Sequence, residues 1–101
     1  MLNQIVLVGK LNRINEIGDK QVLITLATPR PYKNENGEYD TDYIDVLLRN
    51  GIADNTKEYC KIGDTIGIKG RIENLKESII PAIVAEKVTF LSSKKVDDKN
   101  D

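Results

Sequence analysis

The stretch RPYKNENGEYDTDYIDVLLR, residues 30–49, decides how the rest of the chain is interpreted. Its middle, residues 33–42, contains no aliphatic side chain, whereas apolar segments precede and follow it. Asn36-Gly37 supplies residue types that adopt positive φ in a tight turn, so we expect a polar hairpin loop between two strands. Three of the five aromatic residues of the chain flank this loop and are therefore candidates to stack on a ligand: Tyr32, Tyr39 and Tyr43.

The composition predicts one ordinary soluble globular domain. The chain has 101 residues, of which 40% are hydrophobic and 31% charged, and no apolar run approaches the length of a membrane span. A single cysteine and no export signal favour the cytoplasm. The absence of histidine excludes a His-based nucleophilic triad and, with one cysteine, a Cys/His zinc site. We therefore expect no enzymatic activity, no metal and no cofactor.

The charge balance limits any interaction with a polyanion. Fifteen basic and sixteen acidic residues give a net charge of −1, whereas a strongly basic domain is the usual signature of nucleic-acid binding. Binding to nucleic acid then depends on how charge is distributed over one face. We expect such binding to be modest and very sensitive to salt.

Alternation of apolar residues with period two predicts five strands, at residues 2–14, 21–28, 42–49, 64–73 and 80–91. Pro29 and Pro31 should end the second strand because proline lacks an N–H donor. On the fourth strand we expect Ile72 to face inward. Residues 51–61 form the one plausible helix, in which Tyr59 and Cys60 should be packing residues.

The order of these elements is three strands, one short helix and two strands. That is the order of the OB-fold, an all-β, five-stranded Greek-key barrel whose ligand face is built around strands 2 and 3. Residues 1–91 should form this domain, and residues 92–101 a short disordered polar tail.

The first strand is apolar on both of its faces from Ile5 to Val8. A strand of a small barrel normally has one face exposed to solvent. Two apolar faces therefore imply a second packing surface, and a partner chain is the simplest source of one. We expect four residues to lie in such an interface: Leu2, Gln4, Val6 and Val8.

Six segments between residues 1 and 91 carry a resemblance to a known family: 1–11, 34–44, 53–55, 59–64, 69–72 and 85–91. In order and spacing they closely resemble bacterial single-stranded-DNA-binding proteins, and the resemblance extends over nearly the whole of residues 1–91. The resemblance implies sequence-tolerant binding of single strands in DNA replication, recombination or repair, by base stacking and by basic residues along the backbone. It also implies a homodimer or homotetramer assembled through strand 1, and it leaves RNA open as a ligand.

The resemblance places the stacking aromatics of the family on Tyr32 and Tyr43. A third falls on Arg49, whose guanidinium plane can also stack on a base, and a fourth falls near Leu75, where there is no aromatic. Each has a structural alternative, since the tyrosines could brace the loop and Arg49 could pair with Asp45. The remaining candidates for nucleic-acid binding are Arg30, Lys33, Lys10, Lys69, Arg71 and Tyr39.

The resemblance does not extend to the acidic tail with an apolar tip through which the family recruits replication and repair proteins. The missing tip, the replaced aromatics and the low net charge allow a second hypothesis. In that hypothesis the chain is a primosome-type or mobile-element relative that serves protein assembly and binds single-stranded DNA or RNA weakly.

Overall fold

A computed structural model describes residues 1–76 and 78–93 as five strands and one helix. The elements are β1 (Ile5–Gly18), β2 (Gln21–Lys33), β3 (Tyr39–Arg49), α1 (Asn50–Tyr59), β4 (Thr65–Glu73) and β5 (Ala82–Ser92). Strand β5 thus ends one residue beyond the predicted domain boundary. The predicted tail lies outside the described residues from position 94 onward.

The strands close into a barrel in the order β1-β2-β3-β5-β4, with β4 returning to β1. All neighbours are antiparallel except β3 and β5, which pair in parallel. The first half of β1 pairs with β4 and its second half with β2, and Lys10 belongs to both registers. This arrangement confirms the predicted all-β OB-fold with a short helix between the third and fourth strands.

Inward side chains of four strands form the core, as the period-two alternation predicts. The strand residues with at most 1% of their surface exposed are Leu11, Val22, Ile24, Leu26, Val46, Leu48, Ile66 and Ile68. Burial of each such side chain contributes about 1.5–3 kcal/mol to folding. Helix α1 covers part of this core with Ala53 and Thr56, and Cys60 follows as a buried residue.

Two glycines allow neighbouring strands to approach closely. A Cβ at Gly9 would lie 2.7 Å from Thr28 Oγ1 and 2.8 Å from the Ala27 carbonyl oxygen. A Cβ at Gly70 would collide with the carbonyl oxygen of Val84. Gly9 immediately precedes the point where β1 passes from β4 to β2, so any larger residue there would push β1 away from β2.

Three predictions from the sequence were wrong. Strand β2 does not end at Pro29 but continues to Lys33. The register between β2 and β3 shifts between Pro29 and Lys33, so Pro31 lies where the regular ladder is already interrupted. The N–H group that Pro31 lacks is therefore not missed there. Ile72 is exposed at the end of the barrel, where the Asn3 side chain binds its backbone N–H and C=O, each at 2.8 Å. Tyr59 is also exposed, since α1 meets the barrel through smaller residues.

Candidate nucleic-acid interface

Tyr43 occupies the centre of a surface formed by β1, β2 and β3, which we call the outer face. One row across the three strands is Lys10–Ala27–Tyr43 and the next is Arg13–Thr25–Asp45. Tyr43 is 64% exposed although it lies in mid-strand, and it separates two depressions. One, of about 410 Å³, includes Lys10 in its lining, and the other, of about 490 Å³, includes Arg13.

The outer face continues along β3 into an apolar depression of about 310 Å³. Leu23 and Leu47 line it from β2 and β3, and Leu75 and Ile80 line it from the β4–β5 connection. The resemblance to the family places a fourth aromatic near Leu75. Aliphatic side chains therefore form the wall at this position, and they offer a base an apolar contact without a ring to stack on.

The β2–β3 hairpin carries the two other tyrosines. Tyr32 and Tyr39 are each more than half exposed, and the Lys33 ammonium lies 5.9 Å from the centre of the Tyr39 ring. Gly37 has φ of +77°, which confirms the predicted positive-φ turn. The Asn34 carboxamide oxygen accepts the backbone N–H groups of Asn36 and Glu38, at 2.8 and 3.0 Å, and so holds the loop in one shape.

Arg30 forms ion pairs with two carboxylates of its own hairpin. Its guanidinium donates to both oxygens of Asp42, at 2.9–3.2 Å, and lies 3.7 Å from Asp40. The hydrogen bond from Arg30 is the main cause that lowers the pKa of Asp42, and the same bond raises the pKa of Arg30. The structure therefore gives Arg30 a bracing role between β2 and β3, and one positive charge faces two negative ones.

Arg49 lies at the opposite end of β3 from the hairpin, six residues beyond Tyr43, or about 20 Å along an extended strand. It pairs with Glu73 at 3.2 Å, and Arg71 reaches the same carboxylate at 3.5 Å. Asp45, the partner considered from sequence, instead accepts a hydrogen bond from Thr25 Oγ1 at 2.7 Å. The structure thus brings Arg49 and Arg71 together, but not with the tyrosines.

Lys69 belongs to another side of the barrel. Its cross-strand neighbours are Val6 on β1 and Lys87 on β5. Lys87 and, on the outer face, Arg13 are two exposed basic residues that the sequence analysis did not select. Outward alternation on the fifth strand could have identified Lys87. Arg13 could have been found by following the first strand beyond Lys10 to its polar half.

The first half of β1 and the segment before it carry the residues predicted to form an oligomer interface. Val6 and Val8, on β1, are 68% and 51% exposed. Leu2 and Gln4 are exposed as well, but β1 begins at Ile5 and not at residue 2, so these two precede the strand. Strand β2 pairs with β1 only from Lys10 onward. In the described part of the chain, the β1 edge that faces β2 therefore has no pairing strand at residues 5–9. An exposed apolar strand edge of this kind is a template for pairing with another chain.

The family model described as "Single-strand binding protein family" matches residues 2–91. The chain belongs to this family. It is 33% identical to single-stranded DNA-binding protein B of Bacillus subtilis (strain 168), over 93% of this chain and 94% of that protein. It is 35% identical to single-stranded DNA-binding protein 3 of Listeria innocua, over 93% of this chain and 66% of that longer relative.

Solved structures of such proteins share the fold of this family member. An SSB from Plasmodium falciparum in complex with single-stranded DNA superposes with a TM-score of 0.68 at 23% identity, covering 91% of this chain and 97% of that one. A mitochondrial single-stranded DNA-binding protein of S. cerevisiae gives 0.69 at 17% identity, covering 92% and 99%. These two likenesses establish the OB-fold architecture independently of close sequence similarity.

Other kinds of site have little support in the described residues. Among residues 1–76 and 78–93, no group of three or more His, Cys, Asp or Glu side chains is arranged to hold a metal ion. In the same ranges no helix is long and apolar enough to cross a membrane. Burial, and then the charge of Asp64, raise the pKa of the Cys60 thiol, which therefore stays protonated at neutral pH.

Proposed function

We propose that the protein binds single-stranded DNA with little dependence on sequence, by stacking bases on the tyrosines of the outer face and the hairpin. The observation that carries this proposal is the exposure of Tyr43 in mid-strand, in one row with Lys10 and between two depressions. Membership of the single-strand binding protein family supports it.

The chemistry of this surface suits a single strand. Every base has a π-face, and stacking one base on an aromatic side chain contributes roughly 1–3 kcal/mol regardless of sequence. Lys10 and Arg13 both lie on β1, in the rows that contain Tyr43 and Asp45, where a backbone beside the stacked bases would pass. Lys33, beside Tyr39, could take the same role at the hairpin.

The electrostatic contribution should be small. Arg30 and Arg49 both face carboxylates, so neither supplies a free positive charge without first losing its partner. Each phosphate neutralised on a single strand contributes about −0.7 to the slope of log K against log salt concentration. We expect few such contacts, hence modest affinity that falls as salt increases.

A titration of intrinsic tyrosine fluorescence with a dT oligomer tests the proposal. We expect saturable quenching at low salt that weakens as salt is added, and Tyr43→Ala should bind much more weakly. Tyr59→Ala is the matched control, because Tyr59 is 67% exposed but lies on α1, away from the outer face. Absence of binding at low salt would refute the proposal.

We also propose that the first half of β1 pairs with its counterpart in a second copy, giving a homodimer or homotetramer. Val6→Asp should then reduce the mass measured by light scattering, because the new charge would be buried against an apolar strand. Ile62→Asp adds the same charge at another exposed aliphatic residue, outside β1, and should leave the mass unchanged. An unchanged mass for Val6→Asp would reject this interface.

A role in DNA replication, recombination or repair and a cytoplasmic location fit this proposal, since single-stranded DNA arises in those processes. The alternative of a primosome-type or mobile-element assembly protein is not favoured, because the matched family and the relatives are described by single-strand binding. Whether RNA is also bound is tested by repeating the titration with an rU oligomer.

A further inference from the structure

Asp45 places a negative charge in the middle of a surface proposed to bind a polyanion. It follows Tyr43 by two residues on β3, so the two side chains share the outer face about 6.7 Å apart along the strand. A carboxylate there repels phosphate groups, and like charges brought together at an interface are unfavourable. We therefore expect a part of the DNA other than its phosphate backbone to lie against Asp45.

Thr25 holds this carboxylate in place. Thr25 is buried, at 8% exposure, and its hydroxyl donates to Asp45 Oδ1 at 2.7 Å. An ionised carboxylate has two oxygens and about four lone-pair sites, so this bond uses only one of them. Asp45 itself is exposed and lines the 490 Å³ depression together with Tyr43 and Arg13. It is thus a fixed hydrogen-bond acceptor with room for a ligand.

Arg13 lies in the same cross-strand row, on the other side of Thr25. Two strand spacings separate it from Asp45, or about 9.6 Å between backbones. The group that attracts phosphate and the group that repels it are therefore on different strands. A single strand with its backbone over β1 and its bases towards β3 would satisfy both charges.

We propose that Asp45 selects the base next to Tyr43 and that guanine is the base it prefers, an inference that rests on the proposed binding of single-stranded DNA. Guanine presents two adjacent donors, N1–H and the N2 amino group, which match the two oxygens of a carboxylate. Thymine has one N–H between two carbonyl oxygens, which the carboxylate repels. Adenine and cytosine each offer one amino group beside an acceptor nitrogen.

Hydrogen bonds to a charged acceptor are roughly twice as strong as neutral ones. A bidentate contact between a side chain and a base discriminates against the other bases, and we expect a preference of about tenfold. The preference concerns one position in the site. Other bases still stack on the tyrosines, and binding of strands without guanine persists.

Three dT oligomers of equal length test this in fluorescence anisotropy: one unmodified, one with isolated dG and one with deoxyinosine in place of dG. Deoxyinosine lacks only the N2 amino group. We expect the unmodified protein to bind the dG oligomer about tenfold tighter than the other two. Because this comparison needs no protein variant, it does not depend on whether a mutant folds.

Asp45→Asn should then lose the preference and bind unmodified dT more tightly, since the repulsive charge is gone. Glu58→Gln removes one negative charge from the exposed surface of α1 and should keep the preference. Equal affinities for all three oligomers, or a preference that survives in Asp45→Asn, would overturn the assignment while leaving single-strand binding intact. Failure of all three oligomers to bind would instead refute the proposed function.

Discussion

The candidate binding residues at the two ends of β3 differ in whether they already have a partner within the protein. Tyr39, at its start, and Tyr43, four residues further on, are both exposed. At its end, Arg49 shares the Glu73 carboxylate with Arg71, within 3.2–3.5 Å. Both ends carry residue types that bind nucleic acid. The difference teaches that the partner of a side chain, and not its type, determines whether it is available to a ligand.

Replacing one residue at each end gives the largest contrast. Tyr43→Ala should weaken binding of a dT oligomer about 5- to 150-fold, the equivalent of the 1–3 kcal/mol that stacking contributes. Arg49→Ala should weaken it less than about threefold, because its charge is already neutralised by Glu73. Fluorescence anisotropy at one low salt concentration measures both. A larger loss for Arg49→Ala than for Tyr43→Ala would reverse the comparison.

Removing the Glu73 carboxylate should make the arginines at the end of β3 available to a ligand, as the tyrosines already are. Glu73→Gln frees Arg49 and Arg71, so we expect a two- to fivefold gain in affinity and a steeper salt dependence, by up to about 1.4 in slope for two phosphates. Glu58→Gln changes the charge equally on α1 and serves as the control. An unchanged slope would mean that a bound strand does not reach the arginines.

The smallest effect concerns the brace at the start of β3. Because Arg30 lowers the pKa of Asp42 below its ordinary value of 3.8, this pair stabilises the fold at pH above 3.8 and loses its effect as the pH falls through the lower, folded-state pKa. The stability difference between wild type and Asp42→Asn should therefore be constant from pH 7 to about 5 and shrink below pH 4.

Thermal unfolding at pH 7, 5 and 3 measures this difference. The change in melting temperature should be small, because the pair is exposed to solvent. Asp54→Asn, which removes a carboxylate from an exposed ion pair with Lys20 at 3.9 Å, provides the control outside the hairpin. A difference that grows towards low pH would contradict the bracing role.

Much of the fold was predictable because its signals are local. Alternation of apolar residues located the five strands, and Asn36-Gly37 located the turn. The two prolines were misjudged because a lost donor is harmless where a ladder is already irregular, and that irregularity depends on the partner strand. Tyr59 was misjudged because helical periodicity gives a face without giving the depth to which the helix is buried.

The site was less predictable because its decisive contacts are long-range. Arg49 and Glu73 are 24 residues apart in sequence, whereas Asp45, the partner considered from sequence, is bound by Thr25 from the neighbouring strand. The Arg30–Asp42 pair could have been anticipated, since the register of a hairpin places Asp42 opposite Thr28, two residues before Arg30. The exposure of Tyr43 follows from strand alternation and was therefore predictable.

Photocrosslinking tests the central claim, binding on the outer face, most directly. A dT oligomer carrying 5-iodo-deoxyuridine would be irradiated in complex with the unmodified protein, and the linked residues identified by mass spectrometry. We predict crosslinks at Tyr43 and at Tyr32 or Tyr39 in the hairpin. Crosslinks confined to Tyr59 or Phe90, which lie by the groove between α1 and β5, would contradict this account.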